Sequence, residues 1–419
     1  MPKKLFLWLL LLPAGLLAQA PQSFRPVSPE TAGFSAARLA RLDSFLADGV
    51  RRGLFPHVVT FVARGGRVVH HKAFGYRRLE GKTSLRTDDI FRVASQSKVI
   101  TCTALMMLHE EGRFGLDDPV SRYLPAFKNP QVLESYDTLR GTYKVRPARS
   151  EITIRQLLTH TAGIPYEHPL QDRPEFRVPY FNSLERETLA SVMPRLAARP
   201  LTADPGTAFV YGLNTDVVGH LVEVLSGQSL DVFLRTRIFT PLGMKDTHFY
   251  LPPAAAGRLV ELYTKPRPGD ALAVHPGDVF RRFPVAGART YFSGGAGLVS
   301  TAEDYARFAQ MLLNGGSFNG RQVIAPSTVA LMTANQGGDL RVWDRGDHIG
   351  FGLEMTTPGG NYGDLNSTGA YGWSGMYCTE FTVDPDKDLV LLVFTNVQPY
   401  THYFELLRKF RILVYGALK

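Results

Sequence analysis

Strand-like segments lie near the two ends of this 419-residue sequence, and the long stretch between them has no convincing pair of strands. Five segments alternate in hydrophobicity or run apolar: 57–63, 67–70, 369–373, 377–384 and 389–395. Turn residues at 64–66 and 384–387 join neighbouring segments. The pattern predicts an α/β fold in which one antiparallel sheet, flanked by helices, is assembled from both ends of the chain.

The stretch between the strands has short helical patterns and many prolines. It predicts a mostly α-helical subdomain, residues 94–286, inserted into an α/β domain of residues 30–93 and 287–419. Helical spacing after Ser35 predicts an early helix. A last helix, near the C-terminus, is predicted to place Phe404, Leu407 and Phe410 on one side.

The first 20 residues have the pattern of a secretory signal peptide. Lys3 and Lys4 precede an apolar run at 5–12, and Ala18 and Ala20 are small residues at cleavage spacing. A membrane anchor is the alternative, but the run is shorter than the ~20 residues that a span needs. We therefore expect an exported protein, periplasmic or secreted, with no stable membrane span once the signal is removed.

Charge and composition argue against several other classes of function. The formal net charge is +9, but the basic residues are scattered, so no nucleic-acid groove is predicted. No group of His, Cys and acidic residues has metal-ligand spacing, and neither a metal nor another cofactor is predicted. Cys102 and Cys378 lie in largely apolar segments, which favours buried free thiols, although an oxidising compartment would allow them to pair.

Ser95 and Lys98 stand at the start of an apolar helical pattern. A serine in the first turn of a helix meets the positive end of the helix dipole and free backbone N–H groups. Three residues later, Lys98 returns to the same face, where an amine can take the proton of the hydroxyl and make it a nucleophile. The four-residue pattern also occurs by chance, with the serine as a helix cap and the lysine as a surface charge.

Longer segments resemble the serine β-lactamase and penicillin-binding-protein family, in which Ser-x-x-Lys is a characteristic motif. The similar segments are 91–98, 116–120, 152–164, 239–244 and 294–301, in the family's order. The resemblance is closest to the class C β-lactamase branch with its esterases and D-peptidases. It implies a β-lactamase/transpeptidase-like fold and an acyl-enzyme formed on Ser95.

The family's second element is a tyrosine, often in Tyr-x-Asn, and Tyr211 matches it. The resemblance implies that Tyr211 is a general acid or base near Ser95; a core tyrosine is the alternative. Leu213 stands where the asparagine would be, and Asn214 comes one residue late. In β-lactamases that asparagine is implied to hold the substrate's side-chain amide, so Leu213 counts against β-lactam turnover.

The third element is a Lys-Thr-Gly strand, whose counterpart here is Trp373, Ser374 and Gly375. Gly375 is predicted to let the substrate backbone approach the strand. The resemblance implies an oxyanion hole formed by the backbone N–H groups of Ser95 and Met376. Trp373 replaces a lysine that pairs with a substrate carboxylate; it supplies an apolar wall instead, which favours esters, or fills the core.

These features predict a secreted serine hydrolase that cleaves a carboxylic ester or amide of a small molecule or peptide, with esters preferred. The alternatives are a D-peptidase such as a DD-carboxypeptidase, a weak β-lactamase, or a non-catalytic penicillin-binding-like module. His160 is predicted to be structural rather than catalytic. Substrate preference is assigned to three loops: 130–150, 166–183 and 255–290.

Overall fold

The computed structural model describes residues 24–179, 185–343, 347–358 and 364–419. The predicted signal peptide, residues 1–20, lies outside the described residues. The described chain is a mixed α/β fold with one large sheet and helices on both of its faces.

The strands are numbered in chain order. They are β1 (Arg25–Pro26), β2 (His57–Arg64), β3 (Arg67–Arg78), β4 (Thr83–Ser84), β5 (Phe91–Arg92), β6 (Gln131–Asp137), β7 (Thr142–Pro147), β8 (Tyr263–Lys265), β9 (Ala273–Val274), β10 (Val299–Ser300), β11 (Ser317–Phe318), β12 (Arg321–Gln322), β13 (His348–Ile349), β14 (Glu354–Met355), β15 (Tyr371–Gly375), β16 (Thr379–Asp384), β17 (Leu389–Phe394) and β18 (Val397–Tyr400).

The α-helices are numbered in the same way. They are α1 (Ala36–Arg51), α2 (Ser97–Glu110), α3 (Ile154–Leu158), α4 (Leu189–Ala198), α5 (Asn214–Ser226), α6 (Leu230–Leu234), α7 (Thr240–Leu242), α8 (Pro253–Ala256), α9 (Asp278–Ala286), α10 (Ala302–Leu313), α11 (Pro326–Met332) and α12 (Tyr403–Tyr415).

The large sheet has the strand order β1-β3-β2-β17-β16-β15-β14-β13, with β4 added on β3. Neighbours from β3 to β13 run antiparallel, and β1 runs parallel to β3. β2 pairs with β17, with Phe61 opposite Leu392, so strands from the two ends of the chain meet in the middle of the sheet. The predicted antiparallel sheet built from both ends is confirmed.

Helices cover both faces of the sheet, so β17 is buried along its whole length. On one face, Leu391 packs in a cluster with Leu46 of α1 and Phe410 of α12. On the other, Leu392 packs in a cluster that includes Phe308 of α10 and the buried face of α2. Because both faces are covered, the two central strands read as nearly continuous apolar runs rather than as alternating ones.

The inserted region contains strands that its sequence did not predict. β6 and β7 pair as an antiparallel hairpin across part of the segment 130–150, where a loop was expected. β8 pairs with β9 and with the late strand β18. Apart from the buried Val132, the residues of the β6–β7 hairpin are half-buried or exposed on both faces, and without a buried face it lacks the apolar alternation that marks a strand in a sequence.

Two further predictions meet different outcomes. Phe404 is 72% exposed, so it does not share the buried side of α12 with Leu407 and Phe410. Cys102 and Cys378 are both free and buried, as predicted, and burial raises the pKa of the Cys102 thiol to about 12.

Within the described residues no single helix is long and apolar enough to cross a membrane, although one bent pair, Asn214–Ser226 with Leu230–Leu242, meets the criteria of length and composition together.

Candidate active site

Ser95 lies in a 3₁₀ turn, Ala94–Gln96, directly before α2 rather than in the first turn of the α-helix itself. Ala94 has a φ of 44°, a left-handed conformation that is strained for a residue with a side chain. The Ser97 hydroxyl holds this turn, since it donates to the Ala94 carbonyl at 2.6 Å and accepts from the Leu298 N–H at 3.0 Å. From 91 to 100, Ser95 is half-buried while every other residue is buried.

Lys98 is fully buried and its amine is held by three oxygen atoms. Lys98 Nζ lies 3.2 Å from Ser95 Oγ, 2.8 Å from the Tyr166 hydroxyl and 2.7 Å from the Gly295 carbonyl oxygen. The hydrogen bonds to Tyr166 and to the Gly295 carbonyl therefore hold the amine beside the serine hydroxyl. This arrangement can move a proton to and from Ser95 over a hydrogen-bond distance.

Two tyrosines flank the lysine in different ways. Tyr166 presents its hydroxyl to Lys98, whereas Tyr211 presents the face of its ring, with Lys98 Nζ 4.8 Å from the ring centroid. The two tyrosine rings contact each other edge to face, with centroids 5.4 Å apart. From the sequence, Tyr166 was assigned only to a loop that lines the pocket. Its hydrogen bond to the Lys98 amine was not predicted.

The segments that carry the two tyrosines are held together by short backbone contacts. A Cβ on Gly212 would lie 2.1 Å from the Ile164 carbonyl oxygen, so this position requires glycine. Asn214 is buried and its side-chain amide donates to the carbonyls of Ile164 and Val210. Asn214 thus binds backbone rather than facing the cleft, as its displaced position in the Tyr-x-Asn pattern indicated.

Behind Lys98 lies a carboxyl that the sequence analysis did not single out. Asp216 on α5 is fully buried, and burial raises the pKa of this carboxyl to about 6, although the charge of Lys98 opposes the shift. Gly295 separates it from the tyrosine: a Cβ there would lie 2.7 Å from Asp216 Oδ2 and 3.2 Å from the Tyr166 hydroxyl. The glycine-rich segment at 294–301 therefore brings a carbonyl to Lys98 because it carries no side chain.

The end of β15 lies against the turn that holds Ser95. A Cβ on Gly375 would lie 2.3 Å from the Val93 carbonyl oxygen, so this glycine lets the strand approach the protein's own backbone. From the sequence, Gly375 was predicted to allow this close approach to a substrate backbone instead. Met376, the next residue, is half-buried and packs against a cluster that contains Ala94.

Trp373 and Ser374 point to opposite faces of β15. Trp373 is only 5% exposed and its ring lies 5.9 Å from that of Tyr211, so it supports the tyrosine from within the core. Ser374 is half-buried and lies on the side that faces Tyr403 of α12, whose hydroxyl donates to the Gly375 carbonyl. The wall that Trp373 was expected to offer to substrate is thus mostly covered by protein.

His160 is structural, as its sequence context indicated. It is buried, it lies 3.0 Å from the Asn214 amide through Nδ1, and its ring stacks on Trp373. Burial, together with the nearby charge of Lys98, lowers the pKa of His160 well below its usual range.

A cavity of about 400 Å³ opens beside this cluster. Tyr166, Leu213 and Phe280 form part of its wall. Tyr166, whose hydroxyl binds Lys98, links this cavity to the Ser95–Lys98 pair. Leu213, predicted to contact substrate, lies on this wall although it is only 1% exposed.

Comparison with known proteins agrees with this arrangement. The family model named Beta-lactamase matches residues 42–415. This chain belongs to the β-lactamase family. The match covers every strand of the large sheet except β1, together with the Ser95 turn and all segments whose resemblance to that family the sequence indicated.

The similar members of the β-lactamase family include an esterase and a carboxypeptidase-like protein. Esterase EstB of Burkholderia gladioli is 29% identical over 404 residues, which cover 88% of this chain and 93% of EstB. A D-alanyl-D-alanine carboxypeptidase-like protein of Salmonella typhimurium is 28% identical over 393 residues, covering 88% and 85%.

Among solved structures, EstCE1, a hydrolase with promiscuous acyltransferase activity, superposes with a TM-score of 0.74 at 28% identity over 91% of this chain and 99% of EstCE1. This β-lactamase family member is therefore a serine hydrolase that acts through an acyl-enzyme.

The structure brings together Ser95, Lys98, Tyr211 and the Gly375–Met376 corner, all of which the sequence had singled out. It adds Tyr166, the Gly295 carbonyl and Asp216, which the sequence analysis missed. Tyr166 follows the family-like segment 152–164 by two residues, and that adjacency was the one available signal. A tyrosine in a proline-rich loop has no pattern of its own.

Proposed function

We propose that this protein is an esterase in which Ser95 is the nucleophile and Lys98 its base. The observation that carries the proposal is the 3.2 Å distance between Lys98 Nζ and Ser95 Oγ, in a chain whose Ser95 is accessible and whose Lys98 is fully buried. A serine hydroxyl becomes an effective nucleophile when a base is within hydrogen-bond reach of it.

The proposed reaction has two balanced halves. Ser95 Oγ bonds to the carbonyl carbon while its proton passes to Lys98, and the proton then moves to the leaving alcohol oxygen as its bond to the carbonyl carbon breaks. Water next attacks the acyl-enzyme, gives up a proton to the same groups, and releases the acid and free Ser95. The Tyr166 hydroxyl extends the proton path from the amine, whereas Tyr211 presents the face of its ring to the amine and is assigned a proton-transfer role by the family resemblance.

The developing oxyanion is assigned to the backbone N–H groups of Ser95 and Met376. The support is the approach of Gly375 to Val93, which sets the corner after β15 beside the Ser95 turn. Donors placed on rigid backbone stabilise the oxyanion without having to reorganise as charge develops.

Esters are proposed rather than β-lactams for two reasons. Leu213 replaces the asparagine that the resemblance assigns to amide binding, and Trp373 replaces the lysine assigned to a substrate carboxylate. Similarity to EstB agrees with this choice. A D-peptidase is the second candidate, because a carboxypeptidase-like protein of Salmonella is nearly as similar. Export through the 1–20 signal remains part of the proposal.

Covalent labelling tests the assignment of the nucleophile. A fluorophosphonate probe is expected to add one label to the peptide that contains Ser95, detected by mass spectrometry, and none to Ser95→Ala. In parallel, purified protein is expected to turn over p-nitrophenyl butyrate and to leave nitrocefin and a D-alanyl-D-alanine peptide largely intact. A label on another residue would contradict the assignment of Ser95, and preferred cleavage of the peptide would favour the second candidate.

Removing one phenol at a time tests the proton path. Tyr166→Phe deletes the hydroxyl that binds Lys98, and Tyr211→Phe deletes that of the tyrosine implied by the resemblance. We expect each to lower kcat for p-nitrophenyl butyrate, the larger loss being about 10²-fold and marking the phenol that carries the proton. If both variants keep wild-type kcat, neither tyrosine belongs to the path.

A further inference from the structure

The cavity that Tyr166 lines contains a buried cation, Arg199, for which the described part of the chain offers no ion-pair partner. This residue follows α4, lines the cavity, and is only 7% exposed. Its Nε donates to the Phe176 carbonyl at 2.6 Å. Among the described residues, this is the one hydrogen bond that its guanidinium makes, and no carboxylate lies within ion-pair distance of it.

The neighbours of Arg199 do not neutralise it. Glu187, an acidic residue near the start of α4, is already ion-paired with Arg195. Burial is the main influence on the Arg199 guanidinium and lowers its pKa to about 10; Tyr291 opposes this shift, and the charge of Arg195 adds to it. At neutral pH the side chain is therefore charged and mostly buried. Its two terminal nitrogens have no acceptor among the described residues but keep some exposure, so they are free to donate to a ligand.

Charges at the exposed rim of the cavity are mixed. Glu167, Asp172 and Arg177 all line it and are all solvent-exposed, and Arg177 donates to the Asp172 carbonyl. Exposed charges of both signs are screened by water and exert little selective force. The buried guanidinium is thus the feature of this cavity with the strongest preference for a ligand charge.

We propose that Arg199 binds a carboxylate carried by the substrate, so that the preferred substrates are esters with a second, anionic end, such as half-esters of dicarboxylic acids. This proposal rests on the proposed esterase function. The ester carbonyl sits at Ser95, and the rest of the molecule extends past Tyr166 and Leu213 to the guanidinium. A guanidinium binds a carboxylate through two parallel N–H donors, which orients the substrate as well as holding it.

Pairs of substrates matched in length test the proposal. The monoethyl esters of succinate, glutarate and adipate are compared with ethyl butyrate, pentanoate and hexanoate by NMR. A second series, with the carboxylate on the alcohol side, compares the butyrate ester of 4-hydroxybutanoate with butyl butyrate. In one of the two series, we expect kcat/KM to be about tenfold or more higher for the anionic member than for the neutral one. The series that shows the preference identifies whether the acyl half or the alcohol half of the substrate fills the cavity. Equal rates in both series would overturn the proposal.

Variants identify the residue responsible for the preference for anionic substrates. For each variant, the measured quantity is the ratio of kcat/KM for the anionic ester to kcat/KM for its neutral match. Arg199→Gln is expected to lose the preference and Arg199→Lys to keep part of it. Arg38→Gln, the same change of charge on the exposed surface of α1, is expected to keep it in full. If Arg177→Gln removes the preference as completely as Arg199→Gln does, the rim and not the buried cation is responsible, and the proposal is wrong.

Two measurements keep the test decisive if Arg199→Gln fails to fold or if no ester is cleaved. In wild type at constant ionic strength, adipate is expected to inhibit hydrolysis of ethyl butyrate with a Ki about tenfold or more below that of 1,6-hexanediol. Equal inhibition would contradict the proposal. If wild type cleaves no ester, the esterase assignment fails. The anion site is then tested by calorimetry, which compares the binding of monoethyl adipate to Ser95→Ala with the binding of ethyl hexanoate to the same variant.

Discussion

Ser95→Ala is expected to lower kcat/KM for p-nitrophenyl butyrate by about 10⁴-fold or more, because it removes the atom to which the acyl group bonds. The 3₁₀ turn that carries Ser95 is fixed by backbone hydrogen bonds and by the Ser97 hydroxyl, none of which uses the Ser95 side chain. We therefore expect the variant to fold normally. The measurement is a rate assay alongside thermal unfolding followed by circular dichroism.

A matched control for this loss is Ser44→Ala. Ser44 is an exposed serine on α1, on the face of the sheet away from the Ser95 turn, so its loss deletes the same hydroxyl group without touching the cleft. It should keep the wild-type rate. An Ser95→Ala protein that is folded and retains more than about a tenth of the wild-type rate would end the assignment of Ser95 as nucleophile.

Lys98→Met carries the second large expected effect, a fall in kcat/KM of about 10³-fold. Methionine has nearly the length of lysine and suits a buried site, but it offers no group to take the proton of Ser95. It also releases Tyr166 and the Gly295 carbonyl, both of which Lys98 Nζ holds. The loss should appear in kcat, because proton transfer and not substrate binding is affected.

Lys98→Arg separates proton transfer from charge. Arginine keeps a positive charge at the site but does not give up its proton in proteins, so it cannot act as a base. If Lys98 is the base, the kcat/KM of Lys98→Arg is expected to fall nearly as far as that of Lys98→Met. If Lys98→Arg stays within about tenfold of wild type, the amine acts by its charge, and its assignment as base is incorrect.

Large parts of the fold were predictable because they bury apolar residues in regular patterns. The sheet strands around β2 and β17 and the helix after Ser35 all have such patterns, and all lie where the sequence placed them. The β6–β7 hairpin was missed because both of its faces meet solvent. Phe404 was misplaced because it occupies the exposed side of α12, where spacing alone cannot tell a surface phenylalanine from a core one.

The candidate site was predictable to the extent that its residues lie close together in sequence. Ser95 and Lys98 meet because one turn of backbone separates them, and that geometry follows from their spacing. The Tyr166 hydroxyl and the Gly295 carbonyl reach the same amine from two distant segments, and Asp216 lies against Gly295 from a third, in an approach that a side chain at 295 would block. Contacts between such distant segments depend on how loops pack, and no local sequence pattern predicts that packing. Arg199 escaped notice for the same reason, since a single arginine has no pattern that marks it as buried.

The pairing of β2 with β17 has a consequence for how the protein is made. Arg64, at the end of β2, donates from its side-chain Nε to the carbonyl of Lys387, 323 positions later in the sequence. While the ribosome is still translating, the first hairpin has no partner for one edge, and the central layer cannot close until almost the whole polypeptide has emerged. Pairings between segments so distant in sequence raise the contact order and slow folding, so newly made chains are expected to present an unpaired apolar edge that chaperones would need to shield.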